Sequence, residues 1–77
     1  MNIKLTHREI TILRELIKGK SYKEISQTLY ISVATVKFYM GQISEKLGVK
    51  GRLNILLSIF NSEDLLKTIK EYDKVNY

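Results

Sequence analysis

Residues 21–47 read SYKEISQTLYISVATVKFYMGQISEKL and decide the fold. Ser21 and Glu24 have the spacing of a capping box, in which each side chain accepts a hydrogen bond from a backbone N–H at a helix start. Only three residues separate the end of this helix at Leu29 from the next helix at Val33, so the chain must turn sharply there. A short helix, a tight turn and a longer helix are typical of the helix-turn-helix motif. From the spacing alone, the segment fits another small αα-hairpin equally well.

The first helix is predicted from similar signals. Thr6 and Glu9 form a second capping box, and Gly19 can take the left-handed conformation that ends a helix. The apolar side chains at helical spacing are Ile10, Leu13, Leu16 and Ile17. The charged side chains predicted to face water are Arg8, Glu15 and Lys18.

Two helices are predicted after the long one, which Gly48 ends. The fourth runs from about Arg52 to Phe60, and Asn61 or Ser62 is predicted to cap the fifth. No segment shows a convincing strand pattern. The sequence therefore predicts an all-α fold.

The composition excludes several classes of function. The chain has 77 residues, enough for one domain, with no cysteine and a single histidine, His7. Disulfides, thiolate metal sites and thiol nucleophiles are excluded, and we expect no metal, no cofactor and no enzymatic activity. Neither a signal peptide nor an apolar run of ~20 residues is present, so we expect a small cytoplasmic binding protein.

The net charge of +5 is unevenly distributed. Residues 1–61 carry ten basic and four acidic side chains, a net +6, whereas residues 62–77 carry three and four, a net −1. A basic body with a near-neutral tail favours a polyanionic partner for the body and a packing role for the tail. A positive charge that merely maintains solubility is the alternative.

Several short stretches together resemble the LuxR/FixJ-type DNA-binding domain of bacterial regulators. They are LTHRE (5–9), KEI (23–25), IS (31–32), TVK (35–37) and KLGV (46–49), followed by Arg52. The resemblance covers residues 5–60, and the short length is similar to that of the stand-alone GerE-like members. It implies a four-helix helix-turn-helix domain over residues 1–61 and an extra C-terminal helix over residues 62–77. It also implies that the second helix crosses the DNA backbone, the third (about 33–47) enters the major groove, and the fourth pairs two protomers.

One face of the third helix is predicted to read DNA bases. It carries Ala34, Lys37, Phe38 and Gly41 at helical spacing. Lys37 donates to guanine, binds a phosphate or is simply a solvated lysine, and Phe38 either contacts thymine methyl groups or turns into the core. Gly41 stands where the family often has a base-contacting side chain, so it either permits a closer approach or removes a contact. Tyr39 replaces a frequent family histidine and either binds a phosphate or packs in the core.

Phosphate contacts are expected around this helix. Ser32 and Thr35 lie at its N-terminus, where free N–H groups attract anions, although plain capping explains them as well. The basic candidates are Lys23, Lys46, Lys50 and Arg52. Arg52 either binds DNA or pairs with Glu9 or Glu24.

The fourth helix is apolar on more than one side. Its large apolar residues are Leu53, Ile55, Leu56, Leu57, Ile59 and Phe60. A single buried stripe needs about half of these. The surplus predicts either a dimer interface through Leu53, Leu56, Leu57 and Phe60, or coverage by the tail through Leu65, Leu66 and Ile69.

These observations predict a sequence-specific, double-stranded DNA-binding transcription regulator that acts as a homodimer. The alternative is a protein-interaction module whose apolar C-terminal helices bind another regulator or RNA polymerase. A third possibility, region four of a sigma factor, shares the helix-turn-helix, but residues 48–52 fit the LuxR type better.

Overall fold

Five helices make up the part of the chain that the computed structural model describes, residues 3–76, with side chains described over residues 3–72. They are α1 (His7–Ile17), α2 (Tyr22–Leu29), α3 (Val33–Leu47), α4 (Arg52–Phe60) and α5 (Glu63–Asn76). The predicted all-α fold is confirmed. The division of the chain at residues 61 and 62 stays a prediction, although the turn between α4 and α5 falls there.

Both predicted capping boxes are present. The Thr6 N–H donates to Glu9 Oε1 at 2.8 Å, and the Glu9 N–H donates to Thr6 Oγ1 at 3.2 Å. Ser21 and Glu24 make the same reciprocal pair at 2.8 and 3.1 Å. These bonds satisfy N–H groups that a helix start otherwise leaves unpaired, which is why α1 and α2 begin where the sequence predicts.

Tyr30 ends α2 and makes the turn of the helix-turn-helix. It adopts the left-handed conformation with φ of 58°, and it is the one non-glycine residue with positive φ in the described chain. The reversal brings Ile31 against the core and lets Ser32 begin α3.

A single core joins all five helices. Its buried members are Ile12, Leu13, Leu16, Ile25, Val36, Met40, Ile43, Ile55, Ile59 and Ile69. Ile69 of α5 is fully buried, with Leu65 and Leu66 packed beside it, so the tail covers the core-facing side of α4. At the other end of α5, the Tyr72 ring lies against His7, with ring centroids 5.2 Å apart.

The prediction that Glu15 faces water is wrong, because only 2% of the residue is exposed. Lys18 and Lys20 both donate to its carboxylate, Lys18 at 3.2 Å. Burial raises the pKa of the Glu15 carboxyl, but the hydrogen bonds from Lys20 and Lys18 outweigh it and hold the pKa below its ordinary value. Lys20 comes from the turn after α1, so the buried carboxylate is paired with an ammonium that is itself one-third exposed, at 33%.

Candidate nucleic-acid interface

The outward face of α3 carries the predicted base-reading residues. Ala34, Lys37, Phe38 and Gly41 are all exposed. The inward face supplies Val36, Met40 and Ile43 to the core. Phe38 is 59% exposed, so the alternative in which it turns into the core is wrong. Four neighbouring positions on one face of α3 are therefore available for an external ligand.

Tyr39 occupies the border of this face. It is partly buried and packs against the core, and its ring meets Phe38 edge-on with centroids 5.4 Å apart. Tyr39 thus supports the exposed Phe38 ring from one side. The core role that the sequence left open for Tyr39 is present, and a phosphate contact by its phenol stays a prediction.

The start of α3 lies beside the same face. Ser32 caps the helix by accepting the Thr35 N–H at 3.0 Å, and the two hydroxyls are 2.8 Å apart. The capping role is present. The phosphate role stays a prediction, and the positive end of the helix dipole at this exposed cap favours an anion there.

The basic candidates separate into two groups. Lys23 on α2 and Lys50 between α3 and α4 are exposed, as Lys37 is. Lys46 instead donates to Glu9 Oε1 at 2.7 Å and joins α3 to α1. Burial raises the pKa of the Glu9 carboxyl, but hydrogen bonds from Lys46 and Thr6 lower it by more, so the net pKa lies below its ordinary value.

Arg52 does not pair with Glu9 or Glu24, as one predicted alternative had it. Its Nη2 donates to the carbonyl oxygen of Lys20, and its guanidinium lies over the Tyr22 ring, 5.3 Å from the centroid. Arg52 therefore ties the start of α4 to the loop before α2. Glu9 is paired with Lys46, and Glu24 accepts the Ser21 N–H of its capping box.

Sequence reasoning missed two residues at the far end of the α3 face. Gln42 is partly buried one turn after Phe38, and its side-chain amide is the group that proteins use to bind adenine. Glu45 is exposed one turn after Gly41 and repels phosphates. Their positions in the sequence already indicate this, because Gln42 follows Phe38 and Glu45 follows Gly41 by four residues, which places each pair on the same face of a helix. Glu45 confines the basic part of the face to the first half of α3.

A second exposed surface lies on α4. Leu53, Leu57 and Phe60 are 69%, 48% and 53% exposed and follow one another at helical spacing of four and three. We call these three residues the α4 stripe. Leu56 of the predicted dimer set is partly buried against the core, and Ile55 and Ile59 are fully enclosed. The α4 stripe thus lies on the side of the helix opposite Ile55 and Ile59, and the predicted dimer interface stays a prediction.

No group of three or more histidine, aspartate or glutamate side chains in the described part of the chain is arranged to hold a metal ion. No helix there has the length and apolar character required to cross a membrane.

Comparison with known proteins identifies the family. Residues 4–58 match the family described as bacterial regulatory proteins, luxR family. The spore germination protein GerE of Bacillus subtilis is 36% identical, over 79% of this chain and 82% of its own length. The transcriptional regulatory protein LnrK of B. subtilis is 48% identical, over 62% of this chain and 22% of its own length. The nitrate/nitrite response regulator protein NarP of Escherichia coli is 43% identical, over 64% of this chain and 23% of its own length.

The comparison with solved structures gave no significant match. The family match covers more than half of the chain and agrees with the resemblance found in the sequence motifs. Beside GerE the chain has comparable length, whereas it spans about a quarter of the longer regulators. The chain belongs to the LuxR family of bacterial regulatory proteins.

Proposed function

We propose that this protein is a sequence-specific transcription regulator that binds double-stranded DNA as a homodimer, with α3 in the major groove. The observation that carries the proposal is the exposed α3 face, on which Lys37 and Phe38 project from a helix otherwise anchored in the core. Because the proposed target is chromosomal DNA, the proposal includes a cytoplasmic location for the protein.

The α3 face supplies two chemically different base contacts. The Lys37 ammonium donates to guanine O6 or N7, and the Phe38 ring packs against thymine methyl groups. Gln42 adds an amide that can pair with adenine. The rigid attachment of α3 through Val36 and Met40 holds these groups in one register along the groove.

Phosphate contacts position α3. We assign them to Lys23 and Lys50, which are exposed, and to the N-terminus of α3 at Ser32 and Thr35. To Lys46 and Arg52, which the sequence offered as further phosphate candidates, we assign the structural contacts that they make with Glu9 and the Lys20 carbonyl.

The α4 stripe is the proposed dimer interface. An apolar row on a helix that already buries its opposite side matches an identical row on a second copy, as in an isologous two-fold contact. Two-fold symmetry then predicts two half-sites about 10 bp apart, or a multiple of that spacing.

Selection of binding sites from random duplexes, using the intact chain, tests the proposal. Enrichment of a two-fold symmetric site supports it. If each protomer contacts three or four phosphates, a plot of log affinity against log salt concentration should have a slope of about −6 for the dimer. No binding at low salt, or a slope near zero, contradicts it.

Lys37→Ala tests the base contact directly. We expect a loss of about 1–3 kcal/mol at the selected site and a relaxed preference at one base position. A uniform loss across all sequences reassigns Lys37 to a phosphate.

One observation favours a protein-interaction module as the second candidate. Phe38 and Gly41 make the α3 face less polar than a typical reading face, and the α4 stripe offers an apolar surface to RNA polymerase or another regulator. Absence of any DNA complex at low salt, together with capture of purified RNA polymerase, would favour this alternative.

A further inference from the structure

Gly41 has no role in the fold that requires a glycine. It lies in the interior of α3, and a Cβ built there meets nothing within 4 Å. The other three glycines, at positions 19, 48 and 51, all have positive φ, which favours glycine for backbone reasons, whereas Gly41 does not. Glycine also destabilises a helix interior relative to alanine. The fold would therefore be more stable with alanine at position 41.

The position of Gly41 points to a reason outside the fold. It is exposed on the α3 face, one turn from Lys37 and Phe38. The long side chains of those two residues flank a patch of bare backbone. A side chain at position 41 would add at least one C–C bond, about 1.5 Å, between the helix axis and whatever lies against this face.

We infer that Gly41 allows the backbone of α3 to lie closer to the base edges of the major groove than a side chain there would permit. The inference rests on the proposed function and specifies how the proposed site fits duplex DNA. A shorter distance between helix and bases favours the proposed Phe38 contact, because an apolar ring must touch thymine methyl groups directly. Gly41 is thus a specificity-determining residue that acts through the absence of a side chain.

The test uses the intact chain with Gly41→Ala and Gly41→Leu. Because the position is open, both variants should fold, and the alanine variant should raise Tm by about 4–8 °C. If the close approach is real, affinity for the selected site should fall as the side chain grows, by about tenfold or more for leucine, since overpacking at an interface is costly. Affinity for unrelated duplexes, which depends on phosphate contacts, should change little.

Thr68→Ala is the matched control for stabilisation alone. Thr68 is exposed on α5, which packs on α1 and α4, so this variant should also gain helix propensity while it binds DNA as the wild type does. Wild-type affinity in both Gly41 variants, with the control unchanged, overturns the inference and leaves the proposed function in place. Failure of the wild-type chain to bind any duplex overturns both.

Discussion

Replacing Lys46 should damage the fold and leave DNA contacts nearly intact. Its Nζ lies 2.7 Å from Glu9 Oε1, with 32% of the Lys46 side chain and 3% of the Glu9 side chain exposed. Breaking a fully buried ion pair costs about 3–5 kcal/mol, whereas exposed pairs contribute about 0–1 kcal/mol. With one partner buried and the other partly solvated, we expect Lys46→Met to cost about 2 kcal/mol. Tm should then fall by about 8–16 °C.

The pH dependence gives this prediction a second readout. The pKa of Glu9 is lowered in the fold from its ordinary value of 4.5, so its stabilising effect is fully present above that value and is lost as pH falls through the folded pKa. Lys46→Met removes one cause of the lowered pKa. The free energy of unfolding should therefore fall less steeply with acid in the variant than in the wild type.

Urea unfolding followed by circular dichroism, at neutral pH and at several acidic pH values, measures both effects. Lys50→Met is the control, because Lys50 is exposed and assigned to a phosphate. It should keep wild-type stability and lose DNA affinity with a shallower salt slope. If Lys46→Met keeps wild-type stability and loses as much affinity as the control, Lys46 is a DNA contact and the structural assignment is refuted.

Three further predictions concern other parts of the chain. Leu57→Glu should give a monomer in analytical ultracentrifugation, weaken DNA binding and abolish the dependence of Tm on protein concentration that a dimer shows, since this residue of the α4 stripe is half-exposed in the single chain; a dimer of wild-type strength would exclude this interface. Glu15→Gln should lower the free energy of unfolding at pH 7 by about 1–2 kcal/mol, and that free energy should then depend less on pH below pH ~4.5. Glu45→Gln is the exposed control, and equal effects of the two changes would contradict the role of burial. Tyr30→Gly should raise the free energy of unfolding by about 0.5–1 kcal/mol by relieving the left-handed strain, and a loss of stability in urea unfolding would show that the Tyr30 ring stabilises the turn.

Local signals account for what the sequence could predict. Capping boxes, and glycines that end helices, act through residues only a few positions apart. The sequence therefore predicts the starts of α1 and α2 and the end of α3. The exposed face of α3 follows in the same way, because its helical periodicity separates Lys37 and Phe38 from Val36 and Met40.

The errors arise where a charge finds a partner through tertiary packing. Glu15 is polar and sits at a position that local periodicity assigns to water, but the turn after α1 returns Lys20 to it. Arg52 binds the carbonyl of Lys20, 32 residues away, and lies over the Tyr22 ring, whereas Lys46 pairs with Glu9. Contacts between long side chains and residues distant in sequence depend on the assembled fold, and no local spacing encodes them.

The apolar surplus of α4 shows how packing turns an ambiguous pattern into a specific proposal. From sequence, coverage by the tail and pairing with a second copy compete for the same residues. In the fold, α5 packs on α4, whose Ile55 and Ile59 are buried, while Leu53 and Leu57 remain exposed on the other side of the helix. The described part of α5, held against α1 and α4 through the buried Ile69, leaves the α4 stripe exposed. An exposed apolar row on a helix that already buries its other side is the kind of surface that pairs two copies of a chain, which is why we propose the α4 stripe as the dimer interface.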